Sequence, residues 1–136
     1  NILLITTNYN KANRISEKIK EAPKIKAEKR QDGYARTRHS VYEIDPAMEE
    51  KINSSSEFDG AFLKEIRSYK KINVEALSKE IRVGRTYFHN VEKNDYSALP
   101  AEVFVRGFIV QYAKALGLSP DKVANSYMKI MRNGRR

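Results

Sequence analysis

Apolar side chains between residues 58 and 131 recur at helical spacing in five runs separated by short polar breaks. The first run, 59–70, places Phe62, Leu63, Ile66 and Tyr69 on one stripe and closes on Lys70 and Lys71, cations that suit a helix C-terminus. Asn73 is a natural cap for the second, in which Val74, Leu77 and Ile81 face inward. Only R-V-G at 82–84 separates it from the third run, 85–93. Two short helices joined by so tight a turn read as a helix-turn-helix, with Val83 plugging the turn and the small Ser78 letting the helices cross closely. In the third run Tyr87, Phe88 and Val91 form the core side, and Arg85, Thr86, His89, Asn90 and Lys93 face out. Asn94 suits a left-handed helix end, and Tyr96 and Leu99 are expected to pack down from the connection that follows.

The fourth run, 101–116, is apolar over an unusual width. Val105, Ile109, Tyr112 and Leu116 make the core stripe, while Phe104 and Phe108 occupy an adjoining face. One core contact needs a stripe of only about 100° or a little more, so the extra phenylalanines predict a second contact surface. Gly117 stops this helix. Ser119 and Pro120 open the fifth, in which Val123, Tyr127, Ile130 and Met131 point inward and Asn133-Gly134 ends the pattern.

Upstream the pattern thins. Ile2 to Ile5 is a short apolar run, and residues 10–22 read as a weak helix with Ile15 and Ile19 on one face, ended by Pro23. Residues 24–40 are polar and basic and read as a linker. Val41 to Ile44 suits a short extended piece, Asp45-Pro46 a helix start with Glu49 and Glu50 in its first turn, and Asn53 to Glu57 a hinge. The expectation is therefore an all-α protein. A five-helix helix-turn-helix bundle of Cro/repressor-like type fills 58–133, and residues 1–57 form a basic, mostly irregular extension with one or two short helices.

Charge sharpens this division. The net charge is +9, with 15 Lys/Arg against 8 Asp/Glu in 59–136, 10 against 4 in 8–40, and 1 against 5 in 41–58. Two basic blocks thus flank a short acidic one, which suits nucleic acid, anionic lipid or an acidic protein surface. The chain has no cysteine, so disulfides, thiol nucleophiles and zinc–cysteine sites are excluded. Its longest apolar run, Ile2 to Ile5, falls far short of the ~20 residues a bilayer requires, and a cytoplasmic location is expected. The first residue is Asn1, so a piece of a longer chain is expected too.

No enzyme is expected, and no metal or cofactor. His39 and His89 lie in different segments, and neither a nucleophile–base pair, a Gly-rich phosphate loop nor metal-ligand spacing is present. Three binding surfaces compete instead. Arg85, Thr86, His89 and Asn90 could read base edges in a major groove with Lys93 on phosphate. Phe104, Phe108 and Tyr112 form an aromatic face for a protein partner. Arg30, Asp32, Tyr34, Arg36 and Arg38 offer forked donors, a carboxylate and a stacking ring, which suit a guanine nucleotide or phosphate.

Several runs carry a more particular signature: L-K-E-I-R at 63–67, T-Y-F-H-N-V-E-K-N at 86–94, A-L-P at 98–100, F-V-R-G-F-I-V-Q-Y-A-K-A-L-G-L-S-P at 104–120 and S-Y-M at 126–128. With these, residues 58–131 resemble the helix-turn-helix domain of the RodZ family of bacterial cell-shape proteins. The resemblance implies a DNA-binding fold used to bind protein, the bacterial actin MreB above all, with Phe104 and Phe108 matching the family's contact aromatics. It also implies an adjacent membrane beyond a basic stretch, for which Lys129, Arg132, Arg135 and Arg136 are the matching residues. The long basic extension before the module departs from the family's simple order, as do Gly84 in place of a hydroxyl cap and Ser78 in place of alanine.

Overall fold

The computed structural model describes residues 33–135. The Ile2–Ile5 run, the helix expected at 10–22, Arg30, Asp32 and Arg136 lie outside the described residues. What is described is mostly helical, with six α-helices and one small sheet.

The sheet is a small addition to the expected helical architecture. Strands β1 (Tyr34–Arg36) and β2 (Val41–Glu43) pair antiparallel, with Ala35 opposite Tyr42. Gly33 opens the hairpin at φ 83°, a left-handed conformation that glycine adopts at no steric cost, and its carbonyl accepts from the Ile44 amide at 2.8 Å. Two-residue alternation buries Ala35 and Tyr42 and leaves Tyr34, Arg36, Val41 and Glu43 outside. Residues 34–36 read as linker because the one inward side chain of β1, Ala35, is too small to stand out, whereas β2 lies in the expected extended piece.

Helix α1 (Pro46–Ser54) starts where Asp45-Pro46 predicts, the Asp45 carboxylate accepting from the Ala47 amide at 3.0 Å. This helix takes up Asn53 and Ser54 of the expected hinge. Ile52 near its end and Phe58 just beyond it are both buried in the main core, and the Phe58 amide donates to Ser126 Oγ at 2.7 Å. Hairpin and α1 lie against the bundle rather than apart from it. Ser40 Oγ donates to the Lys70 carbonyl at 2.6 Å, Tyr42 meets Tyr69 edge-on at 5.1 Å, and the Tyr69 hydroxyl donates to Glu49 at 2.8 Å.

The remaining helices are α2 (Gly60–Tyr69), α3 (Val74–Ile81), α4 (Arg85–Glu92), α5 (Glu102–Ala115) and α6 (Pro120–Gly134), with one 3₁₀ turn at Tyr96–Ala98. Asp59 and Asn73 cap α2 and α3 through their side chains. Gly84, having none, leaves α4 without a side-chain cap. Leu63, Ile66, Leu77, Phe88, Val91, Val105, Ile109, Leu116 and Tyr127 interdigitate at the centre, each 0% exposed. Gly60 is required by packing: a Cβ there would sit 1.9 Å from the Val91 carbonyl oxygen, so the start of α2 lies directly against the end of α4. Asn94, in the left-handed region at φ 58°, turns its side chain back to accept the Gly60 amide at 2.7 Å. Among the described residues no helix is long and apolar enough to cross a membrane.

Candidate functional site

The helix-turn-helix unit is α3, the turn Arg82–Gly84 and α4. Arg82 takes the left-handed conformation that reverses the chain, at φ 61°, and Ser78 Oγ donates to the Val83 carbonyl, tying the turn back onto α3. A polar clamp then fixes α4. Glu92 is 4% exposed, and its carboxylate accepts two bonds from the Arg67 guanidinium, at 2.7 and 3.1 Å, and a third from the Tyr112 hydroxyl. Arg67 also donates to the Ile72 carbonyl at 3.1 Å. One buried carboxylate therefore joins α2, α4 and α5. The Lys70 ammonium, 1% exposed at the residue level, donates to the Leu116 carbonyl at 2.6 Å, at the C-terminal end of α5 where positive charge is favoured. The sequence reading passed over this network. Its trace is there: Glu92 follows core-facing Phe88 by four residues, and Arg67 follows Leu63 by four, so both charges sit on buried faces.

Among the candidate DNA-contacting residues, Arg85, Thr86 and His89 on α4 and Lys93 at its C-terminal cap are exposed, and Asn90 is half-buried. They do share one outward face. Arg85, however, donates to Glu75 in the first turn of α3 at 2.7 Å, with the two side chains 64% and 63% exposed. When a helix-turn-helix docks, the recognition helix enters the groove by its N-terminal end while the preceding helix crosses the backbone. Glu75 stands where phosphates would run. The exposed pair contributes at most about 1 kcal/mol, so Arg85 is not immobilised, but its charge is offset by a carboxylate that a phosphate backbone repels.

The aromatic face is split by the structure. Phe108 is 5% exposed and Tyr112 is 0% exposed, so the expectation that they form a partner surface is corrected. Phe108 inserts between α4 and α5, its ring 4.6 Å from Tyr87 and 4.8 Å from Phe88, and Tyr112 is committed to Glu92. The apolar width of α5 arises because this helix packs against α3 and α4 as well as α6. Phe104 behaves differently, at 67% exposed, and beside it Val103 is 72% exposed. Val103 was passed over in the sequence reading. It lies two residues before Val105, about 200° round the helix from the core stripe.

The edges of this surface are set by contacts. On one side Phe108, one turn after Phe104, touches α4. On the other Arg106 donates to Asn125 at 2.9 Å and Arg132 to Glu102 at 3.0 Å, both between α5 and α6. Gly107, exposed on the next turn, has nothing within 4 Å of where a Cβ would sit.

Of the arginine-rich strip only Tyr34, Arg36 and Arg38 lie among the described residues, and these three are not gathered into one site. Tyr34 and Arg36 project from the outer face of β1, and Arg38 turns to Glu80 on α3, which also pairs with His39. The basic C-terminal residues are partly committed inside the fold. Arg132 pairs with Glu102, and Arg135 donates to the Tyr96, Leu99 and Pro100 carbonyls at 2.9, 2.8 and 2.9 Å, fastening the connection before α5. Burial pushes the Tyr127 hydroxyl well above its ordinary pKa, with the nearby Tyr96, Tyr87 and Asp59 adding to the shift. That hydroxyl donates to the Val91 carbonyl at 3.1 Å. Among the described residues no group of three or more His, Cys, Asp or Glu is placed to hold a metal ion.

No solved structure matches the chain. A relative described as the uncharacterized membrane protein YmfM of Bacillus subtilis (strain 168) is 29% identical over 62 residues, 46% of this chain and 22% of that protein. The chain thus corresponds to under a quarter of that relative's length. Residues 62–123, from the first half of α2 to the start of α6, match the model of a helix-turn-helix domain family.

Proposed function

We propose that this chain is a non-enzymatic binding module that holds a protein partner on the outer face of α5, centred on Phe104. The observation that carries this is the pair Val103 and Phe104, 72% and 67% exposed on a helix whose other large apolar residues are buried or half-buried. An exposed aromatic beside an exposed aliphatic side chain marks an interaction site when the rest of the apolar surface is covered. The resemblance to RodZ-type domains makes bacterial actin MreB the first partner to test, in a cytoplasmic setting. The description of the relative as a membrane protein fits a chain working beside a lipid surface, with Lys129 on α6 and the cations near the end of that helix towards anionic headgroups. The test is site-specific photocrosslinking from position 104 in the source cells, with exposed Ser97 as control position. A protein adduct at 104 and none at 97 supports the reading; no adduct at 104 overturns it.

A second reading is DNA binding through α4, favoured by the shared outward face of Arg85, Thr86, His89 and Lys93. Titration of random and genomic duplexes at two salt concentrations decides it. Sequence preference that survives higher salt would establish a DNA reader. Weak binding that collapses with salt would leave net positive charge as its cause.

A further inference from the structure

We infer that the partner segment received by α5 is an acidic amphipathic helix, laid along Val103, Phe104 and Gly107. This inference rests on the protein-partner reading above and adds the partner's shape and charge.

Shape comes from α5 itself. Its exposed positions from Val103 to Gln111 are Val103, Phe104, Gly107 and Gln111, with Val110 half-buried on one border and Arg106 half-buried next to it, turned to Asn125. The four exposed positions carry no charge, and the strip is about two turns long. Gly107 sits in the middle. A glycine inside a helix costs stability relative to alanine. No neighbour among the described residues uses the space, since nothing lies within 4 Å of its absent Cβ. The gap serves a neighbour from outside. A second helix crossing there can bring its backbone close, while Phe104 inserts between its side chains at i and i+4 spacing.

Charge comes from the flanks. Lys114 near the end of α5, and Lys129 on α6 between Asn125 and Arg132, which pair with α5, are exposed around the strip. The carboxylates on α4, α5 and α6 are turned to other uses or lie at the far end. Glu92 is buried in the clamp, Glu102 pairs with Arg132, and Asp121 stands in the first turn of α6. An apolar strip framed by ammonium groups selects a helix with an apolar stripe and acidic borders, and disfavours the same stripe with basic borders through like-charge repulsion.

The experiment uses the full chain, isotope-labelled, with two synthetic peptides. Both are helical and share one leucine stripe; one has glutamate borders and the other lysine borders. The inference expects the acidic peptide to shift the amides of Val103, Phe104, Gly107 and Gln111. Affinity should fall at least about tenfold for Phe104→Ala, the size of one interface anchor, and also for Gly107→Leu, which fills the gap. Circular dichroism on each variant confirms that the helices persist. Equal binding of both peptides overturns the acidic partner and leaves an apolar one. Shifts confined to α3 and α4 overturn the placement. Loss of duplex DNA or phosphatidylglycerol vesicle binding in Phe104→Ala, with neither peptide bound, reassigns the face to nucleic acid or membrane. If neither peptide binds while position 104 still crosslinks a protein in cells, the helical acidic partner is wrong and the protein-partner reading stands. If both fail, both fall.

Discussion

Two regions of this molecule invert the usual distribution of side chains. At the junction of α2, α4 and α5, charges are buried: Glu92 is 4% exposed and Lys70 1%. On the outer face of α5, large apolar side chains are exposed, Val103 at 72% and Phe104 at 67%. Within the first region every charge has a partner that answers it. Glu92 accepts from Arg67 and Tyr112, and Lys70 donates to Leu116 at 2.6 Å. No such answer exists for Val103 and Phe104 among the described residues. Buried charge here is a device for fixing three helices in one arrangement, whereas exposed apolar surface is what that arrangement holds out. The contrast separates residues needed for folding from residues needed for binding.

The largest expected effect comes from alkali. Burial raises the hydroxyl pKa values of Tyr42, Tyr112 and Tyr127, and burial with the Glu49 carboxylate nearby holds Tyr69 at about 12. The folded state keeps these protons after an unfolded chain has released them near pH 10, so unfolded protein gains relative to folded as pH rises past that point. Stability is therefore full below about pH 10 and is lost between there and the folded pKa values. Thermal melts from pH 8 to 12 should show a steep fall. A flat profile would mean that the tyrosines are not as enclosed as the fold has them.

Next is the clamp. Glu92→Ala strands the Arg67 guanidinium, 13% exposed as a side chain, and the Tyr112 hydroxyl without their acceptor. Breaking a buried ion pair from one side costs about 3–5 kcal/mol, a large part of the stability of a domain this size. Denaturant titration reads the loss directly. Glu75→Ala, which breaks the exposed pair with Arg85, should cost less than about 1 kcal/mol. The same substitution should strengthen salt-sensitive duplex binding, because it removes a carboxylate from the backbone-facing end of α3.

Phe108 and Phe104 bring the comparison onto a single helix. Phe108→Ala empties a site walled by Tyr87, Phe88 and Tyr112 and should destabilise the fold by about 3–5 kcal/mol. Phe104→Ala should stay within about 0.5 kcal/mol, as surface changes do, while abolishing partner binding. Equal destabilisation by the two would show that Phe104 is also covered in solution.

How much of this was legible in the sequence follows the same division. The helix starts and stops were, because caps and breakers act locally: Asp45-Pro46, Asn73, Gly117 and Ser119-Pro120 all punctuate the chain where the helices change. So was the inward set at Leu63, Leu77, Phe88, Val105 and Tyr127, since one period fixes one face. The difference between Phe104 and Phe108 was not. Both sit beside the core stripe, and only the approach of α4 decides which is covered. The pairing of Glu92 and that of Lys70 were illegible for a related reason. A charge on an apolar face is a fault or a clamp according to whether a partner arrives from another helix, and Arg67 arrives from 25 residues away. The first strand, Tyr34–Arg36, escaped notice because three residues give periodicity almost nothing to count, while Val41–Glu43 falls within the expected extended piece.

The smallest effect is also the one that separates the two regions most cleanly. Gly107 lies on the exposed face, inside a helix, in a conformation open to any residue, with no neighbour in the way of a methyl group. Gly107→Ala should therefore stabilise the folded chain by about 0.5–1 kcal/mol, through helix propensity and reduced freedom of the unfolded state. If the missing side chain is there for a partner, the same methyl group must weaken docking, because two helix backbones can no longer approach as closely. Stability and affinity would then move in opposite directions on one substitution. A melt and a binding titration on the same preparation test this. A more stable variant that binds equally well would mean that Gly107 serves neither the fold nor the partner, and that Phe104 acts without a close crossing beside it.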